Sequence, residues 1–316
     1  MLKNKKILIT GGAGFIGSNL VEKLLEYDNE VIIFDNLSTG IMENIKNLES
    51  NPNFKFVQGD ILNKELLEQV LENIDYVFHY AAVVGVKRTI EKPLEVLNVN
   101  TEGTRNVLEL SLKQGVEKVI FASSSEVYGE PVEIPERENG HVNAKLPYAA
   151  SKLIGENYCE AYYDMYGLKT TSLRFFNVYG PKQNSTPYGF VVGIFIEQAL
   201  KNKPLTIFGD GTQTRDFVFI EDNINATIIA AEQSKTNGKA INIGTGKPTT
   251  ILDLAEEIIE ITGVNTEPTF LPEREHDIKH RFPDISLMRE LLGYRPEYKL
   301  RDGLKITIDW YKNDMR

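Results

Sequence analysis

The chain has a single cysteine, Cys159, so no internal disulfide can form and a reducing cytosol is the expected setting. A lone thiol without metal-ligand spacing around it reads as packing, and no metal site is expected. Basic charge is in deficit: 35 Lys and Arg face 45 Asp and Glu, a formal charge of −10. That balance argues against a nucleic-acid partner and leaves only a local basic pocket for an anionic small molecule. Long apolar runs are also missing. Ile7-Leu8-Ile9, behind Lys3, Lys5 and Lys6, is too short for a signal peptide or a membrane span, and no later stretch approaches the length needed to cross a bilayer. A soluble, cytoplasmic protein with no membrane partner is expected. No internal repeat or low-complexity segment occurs. The remaining composition, 41% hydrophobic and 25% charged over 316 residues, is ordinary for a large domain plus a smaller lobe.

The first half alternates short β-rich runs with amphipathic stretches. Strands are expected at Ile7–Thr10, Val31–Asp35, Phe54–Gln58, Tyr76–His79 and Lys118–Ser123. Helices are expected at Ile16–Tyr27, Leu66–Glu72, Asn100–Gly115 and Tyr148–Tyr163. Strands spaced by helices of this length indicate βαβ units and a doubly wound parallel sheet covered on both faces, an α/β Rossmann architecture. From about Pro181 the texture changes, with turn formers at Pro181–Ser185 and Gly209–Gly211. Thr249–Thr262 reads as a helix opening on the capping signal Thr250 and Asp253. The expected division is a dinucleotide domain over 1–180, rejoined by strands and helices of about 215–245, and mainly a substrate lobe over 181–316.

Directly after the first strand, Thr10-Gly11-Gly12-Ala13-Gly14-Phe15-Ile16-Gly17 opens a helix. Gly12, Gly14 and Gly17 fit the dinucleotide fingerprint, and Gly11 adds a second, overlapping pattern. Such glycines permit a tight turn and let backbone N–H groups approach a pyrophosphate at a helix N-terminus. Any tight turn can use three glycines, so the flanking strand, the helix and an acidic residue ending the second strand, Asp35, carry the argument. Asp35 has the spacing of a carboxylate that accepts from ribose hydroxyls and repels a 2′-phosphate, which favours NAD over NADP. A plain strand-end aspartate is the alternative. Asp60-Ile61, after the third strand, reads as a neighbour of the adenine or as an ordinary loop.

Tyr148 and Lys152 are four residues apart in a helical segment and share one face. A base near neutral pH needs a phenol far more acidic than free tyrosine, at about 10, and a neighbouring ammonium, helped by oxidised nicotinamide, favours the phenolate. Ser123-Ser124-Ser125 ends a strand at the carboxyl edge of the sheet, where ligands bind in such folds. A Tyr/Lys pair at this spacing is common by chance. It gains force behind a serine-tipped strand and a glycine loop.

With these residues in view, the segments Thr10–Gly17, Phe78-His79-Tyr80-Ala81-Ala82, Ser123–Gly129, Tyr148–Lys152 and Arg174–Gly180 resemble the extended short-chain dehydrogenase/reductase family, the NAD-dependent epimerases and dehydratases of nucleotide sugars. The resemblance spans nearly the whole chain. It implies NAD held through turnover by Gly11, Gly14, Phe15, Ile16, Gly17, Asp35, Asn36, Asp60, Ile61, Ala81, Ala82, Asn100, Tyr148, Lys152 and Phe175. It also implies a nucleotide-sugar substrate and a homodimer through a four-helix interface. Tyr148 would be the base, Lys152 its partner and the holder of the nicotinamide ribose, and Ser124 the hydroxyl beside it.

On the substrate side, the resemblance makes Asn177 and Arg215 diphosphate contacts, Arg274 a second anion clamp and Asp277 a uridine ribose contact. Val191, Thr206 and Phe208 would border the base. Two arginines converging on a diphosphate suit the planar guanidinium fork, although both are also compatible with surface ion pairs. The reaction turns on two positions. Dehydratases of the family carry Asp-Glu before Val-Tyr-Gly, whereas Ser125-Glu126 stands here, which disfavours 4,6-dehydration. Glu126 and Arg281 look decarboxylase-like, with Arg281 matching an arginine tied to carboxylate handling. Leu146–Lys152 and Phe175–Gly180 look epimerase-like. A UDP-hexose 4-epimerase is expected. UDP-glucuronate decarboxylation or 4-epimerisation is the alternative, and a 4,6-dehydratase or an NAD-bound scaffold without turnover ranks lower. Glu126 is counted with the catalytic residues, or is a hydrogen-bond acceptor one layer behind them.

Overall fold

Ile7 and Ile9 of β1 (Lys6–Thr10) enter one buried cluster and Leu8, between them, enters another, as a two-residue period requires when both faces of a sheet are covered. Ile33 and Phe34 of β2 (Glu30–Asp35) divide in the same way. Each such side chain, fully buried, contributes about 1.5–3 kcal/mol of apolar transfer energy. The computed structural model describes residues 2–84, 86–183, 190–273 and 278–314.

Between and beyond these strands the chain forms α1 (Phe15–Leu25), β3 (Phe54–Gln58), α2 (Lys64–Val70), β4 (Tyr76–His79), α3 (Val86–Glu91), α4 (Pro93–Gln114), β5 (Lys118–Ser124), α5 (Pro147–Tyr166) and β6 (Lys169–Phe175). The second part holds β7 (Asn177–Tyr179), α6 (Val191–Leu200), β8 (Thr206–Phe208), β9 (Thr214–Phe219), α7 (Ile220–Glu232) and β10 (Lys239–Ile243). It continues with β11 (Pro248–Thr250), α8 (Ile251–Thr262), β12 (Thr269–Leu271), β13 (His280–Arg281), α9 (Ser286–Leu292) and α10 (Leu300–Asp314).

The expected doubly wound α/β sheet is present, with seven parallel strands in the order β10-β6-β5-β4-β1-β2-β3. Helices α2, α4 and α5 cover one face, and α1 and α7 pack together on the other. The strand order reverses between β1 and β4, and the carboxyl ends of the strands there open the crevice where such sheets bind ligands. A smaller sheet places β9 among β7, β11 and β13, and β8 pairs with β12.

Cys159 is buried against β5 in the second cluster, a packing thiol as expected. Thr250 caps α8 through a full capping box with Asp253. Helix α4 begins at Pro93 rather than Asn100. Proline at its first turn fits, because that position has no helical partner for an N–H.

Candidate active site

Three glycines shape the turn after β1. Gly11 has φ +72°, and a Cβ on it would stand 2.6 Å from the Ala81 backbone N, so only glycine fits. A Cβ on Gly17 would stand 2.5 Å from the Gly11 carbonyl oxygen. Gly14 precedes Phe15 and Ile16 at the start of α1, and that end has neither a side-chain cap nor an acidic residue in its first turn. Its N–H groups therefore remain open to an anion.

Asp35, at the end of β2, is buried. Its carboxylate accepts from the Ala13 N–H at 2.9 Å and the Leu37 N–H at 2.8 Å. Burial raises its pKa and those two hydrogen bonds oppose the rise. The Asn36 amide donates to Asp60 at 2.8 Å, joining the ends of β2 and β3. Ile61 is buried against Gly103, with its carbonyl held by Asn106, and so belongs to the wall beneath the crevice. Glycine turn, open helix end and carboxylate together fit a dinucleotide.

Beneath Ala81 and Ala82 lies a buried relay. The Ala81 N–H donates to Thr10 Oγ1, and Thr10 hydrogen-bonds His79 Nδ1 at 2.7 Å. His79 Nε2 lies 3.0 Å from Thr104 Oγ1, which donates to the Asn100 carbonyl. Because Thr104 uses its proton there, the network assigns the His79 proton to Nε2. Burial, with Lys152 nearby, lowers the His79 pKa to about 3, so the ring stays neutral. The Asn100 side chain accepts from the Val83 N–H at 2.7 Å and donates to Ser151 Oγ at 3.0 Å. Ser151 in turn donates to the Tyr148 carbonyl at 2.8 Å. Asn100 thus ties the loop after β4 to the helix that carries Tyr148.

Ser124 ends β5, and Tyr148 opens α5 opposite it. The Ser124 hydroxyl accepts from the Glu126 N–H at 3.2 Å. The Tyr148 phenol is pushed up to about 12 by burial, with its hydrogen bond to Ser124 opposing and Glu126 reinforcing the rise. Lys152 is buried, donates to the Ala122 carbonyl at 2.7 Å and places Nζ 5.7 Å from the centre of the Tyr148 ring. Burial lowers its pKa to about 8. The trio converges, and in the chain by itself the phenol lies above the range of a base near neutral pH. Desolvation of the buried phenol is the largest influence on it. Phe175 ends β6 and stacks on Tyr80 with centroids 5.9 Å apart.

Arg215 and Arg281 are register partners on β9 and β13, and Asn177 lies opposite Phe217 on β7. Arg215 donates to the Thr214 and Ile278 carbonyls, and the Asn177 amide to the Asp216 carbonyl. Arg281 is buried. It pairs with Glu126 at 2.5 Å, donates to the Gly129 carbonyl at 2.7 Å and brings Nε to 3.7 Å from Glu136. Glu126 therefore joins Ser124 to Arg281. Val191 opens α6, while Thr206 and Phe208 stand on β8, where Thr206 is held to α6 by two hydrogen bonds with Gln198. Arg274 and Asp277 lie outside the described residues.

Two elements of the site escaped sequence reasoning. Glu136 is buried beside Arg281, and burial raises its pKa to about 8. Glu156 chelates the buried Arg174 at 2.9 and 2.7 Å and receives the Ser123 hydroxyl, and Arg174 also donates to the Tyr128 hydroxyl at 2.9 Å. The repeat Tyr148, Lys152, Glu156 at every fourth residue was a usable signal for the second. Nothing local marked the first.

Fold and site together define a dinucleotide-binding α/β enzyme with a Ser/Tyr/Lys centre at the carboxyl edge of its sheet. The model of the NAD-dependent epimerase/dehydratase family matches residues 7–244. The chain is 37% identical over 310 residues to the UDP-glucose 4-epimerase of Mycolicibacterium smegmatis, covering 98% of this chain and 99% of that one. It is 38% identical over 319 residues to the UDP-N-acetyl-alpha-D-glucosaminuronate decarboxylase of Bacillus cytotoxicus, with 98% of each covered. Among solved structures, the UDP-N-acetylglucosamine 4-epimerase from Methanobrevibacter ruminantium superposes with a TM-score of 0.95 at 37% identity, over 99% of this chain and 100% of that one. The chain belongs to the NAD-dependent epimerase/dehydratase family. It is an NAD-using enzyme of that family.

Proposed function

We propose that the chain is a UDP-hexose 4-epimerase. The observation that carries this reading is the convergence of Ser124, Tyr148 and Lys152 beside the glycine turn, in a chain whose relatives include UDP-glucose and UDP-N-acetylglucosamine 4-epimerases. Bound NAD supplies the acceptor and donor of a hydride at carbon 4 of the sugar. Tyr148 takes the proton of the carbon-4 hydroxyl and returns one after the 4-keto sugar has turned over. Ser124 steers that oxygen, and Lys152 holds the ribose and adds positive charge. With the phenol raised to about 12 by burial, bound NAD in its oxidised form would supply the further positive charge that favours the phenolate. Gly11, Gly14, Gly17 and Asp35 seat the dinucleotide, and Asn177, Arg215, Arg274 and Asp277 take the nucleoside diphosphate.

Residues 1–180 with β10 and α7 form the cofactor part, and most of 181–316 the substrate lobe. Helices α4 and α5 pack against each other on one face of the sheet, the pair from which a four-helix homodimer would be built. No helix among the described residues is long and apolar enough to cross a membrane, and the single buried cysteine suits the cytoplasm.

One observation favours a second reading. Arg281 and Glu126 pair beside Ser124, as decarboxylation of a uronate would use. Incubation of the holoenzyme with UDP-glucose, UDP-N-acetylglucosamine and UDP-glucuronate, followed by NMR, separates the two. Galacto-configured products from either of the first two substrates support epimerisation. Carbon dioxide and UDP-xylose from the third, without those products, overturn it.

A further inference from the structure

On a chain of net charge −10, surface cations such as Lys5, Lys64, Lys113 and Arg301 pair with glutamates. One cleft departs from this pattern. It encloses about 430 Å³ where the loop after β10 meets α9 and the start of α10. Lys247, Arg289, Arg295 and Lys299 line it, and all four are exposed. No carboxylate lies within ion-pair distance of any of them among the described residues, and the described lining includes no acidic side chain.

Four like charges held around one concavity repel one another and raise the local potential, which counter-ions relieve. The four come from three chain segments that are brought together by folding. Leu300, the first residue of α10, lines the same cleft. The Thr249 hydroxyl adds a neutral hydrogen-bonding group. The volume exceeds that of one inorganic phosphate and lies within the range of small-molecule sites. None of Ser124, Tyr148, Asn177 and Arg215 is among its described lining residues.

We propose that this cleft is a second anion site that binds a compact oligophosphate, apart from the nucleotide-sugar groove. Its floor bears on that groove. The buried Asp216 accepts from the Thr245 N–H at 2.8 Å, from the Thr245 hydroxyl at 2.8 Å and from the Lys247 N–H at 3.0 Å. Asp216 is the chain neighbour of Arg215, so an anion drawing Lys247 inward loads the strand that presents Arg215.

The test is calorimetric titration of inorganic pyrophosphate into the holoenzyme, with NAD and UDP both saturating so that the active-site groove is filled. Binding of one pyrophosphate per chain is expected. Arg295→Ala and Lys299→Ala are each expected to weaken it about tenfold, the worth of one charge-assisted contact. Arg289→Glu should abolish it, and Arg215→Ala should leave it within about twofold, since that residue lies outside the cleft. Circular dichroism of each variant checks that the fold is retained. The proposal is overturned if pyrophosphate fails to bind once UDP is present, or binds the cleft variants as tightly as the parent. Epimerase activity is a separate readout. Its absence would sink the proposed reaction and leave the cleft untouched.

Discussion

Removing Glu156 tests the buried framework behind the active site. Its carboxylate is 7% exposed and Arg174 is 5% exposed, and together they form a bidentate pair at 2.9 and 2.7 Å. Glu156→Ala strands the guanidinium with only the Tyr128 hydroxyl and the Glu138 carbonyl as acceptors, and leaves the Ser123 hydroxyl without its carboxylate. Breaking one side of a buried ion pair costs about 3–5 kcal/mol. Unfolding entropy of about 2.1 cal/mol/K per residue gives roughly 0.7 kcal/mol/K for 316 residues, so the melting temperature should fall by roughly 5–8 °C. Differential scanning fluorimetry reads this directly. The paired replacement Glu156→Leu with Arg174→Met removes both charges at similar volume and should recover most of the loss. A single variant melting within about 2 °C of the parent, or a pair no better than the single, would refute the claim that an uncompensated charge sets the penalty.

Tyr148→Phe should lower kcat by about 10²–10⁴ while UDP-glucose binding by calorimetry changes little, because a phenyl ring keeps the packing and loses the proton carrier. Gly11→Ala forces a left-handed residue and a 2.6 Å clash with Ala81; the purified variant should carry no NAD by absorbance while the parent retains it. Glu136→Gln tests a buried acid whose folded pKa, about 8, lies above its unfolded value of 4.5. A raised carboxyl pKa favours folding below pH 4.5, and that contribution is lost as pH rises through 8, so the parent loses stability across this window. The glutamine variant should match the parent near pH 4 and melt higher at pH 9. Equal melting curves at pH 9 would show that Glu136 is charged without penalty.

The cofactor half was legible because its signals are local. Ile7–Ile9 and Val31–Phe34 are dense apolar runs, and Gly11 and Gly17 meet a steric demand that no other residue satisfies. Tyr148 and Lys152 share one helix, so their spacing alone put them together. The Lys152 ammonium was expected to act on the phenol together with oxidised nicotinamide, and the Ala122 carbonyl that holds it comes from β5 and carries no sequence mark. The second part hid more. Strands β7, β8, β11 and β12 have three residues each, too few to show a period, and β12 is exposed throughout. Arg281 and Glu126 are 155 positions apart. Their pairing follows from β13 joining β9, a register that neither segment encodes by itself.

Strand β10 has a consequence for how the molecule can be made. It docks on β6 through five register pairs, Lys239 with Thr171 to Ile243 with Phe175, long after β6 has left the ribosome. Until then the sheet has six strands, and β6 presents a bare row of N–H and C=O groups along one side. A fragment stopped at Gly180 would keep that border open and invite a second chain to pair with it. The cofactor half is sealed only by material from its successor.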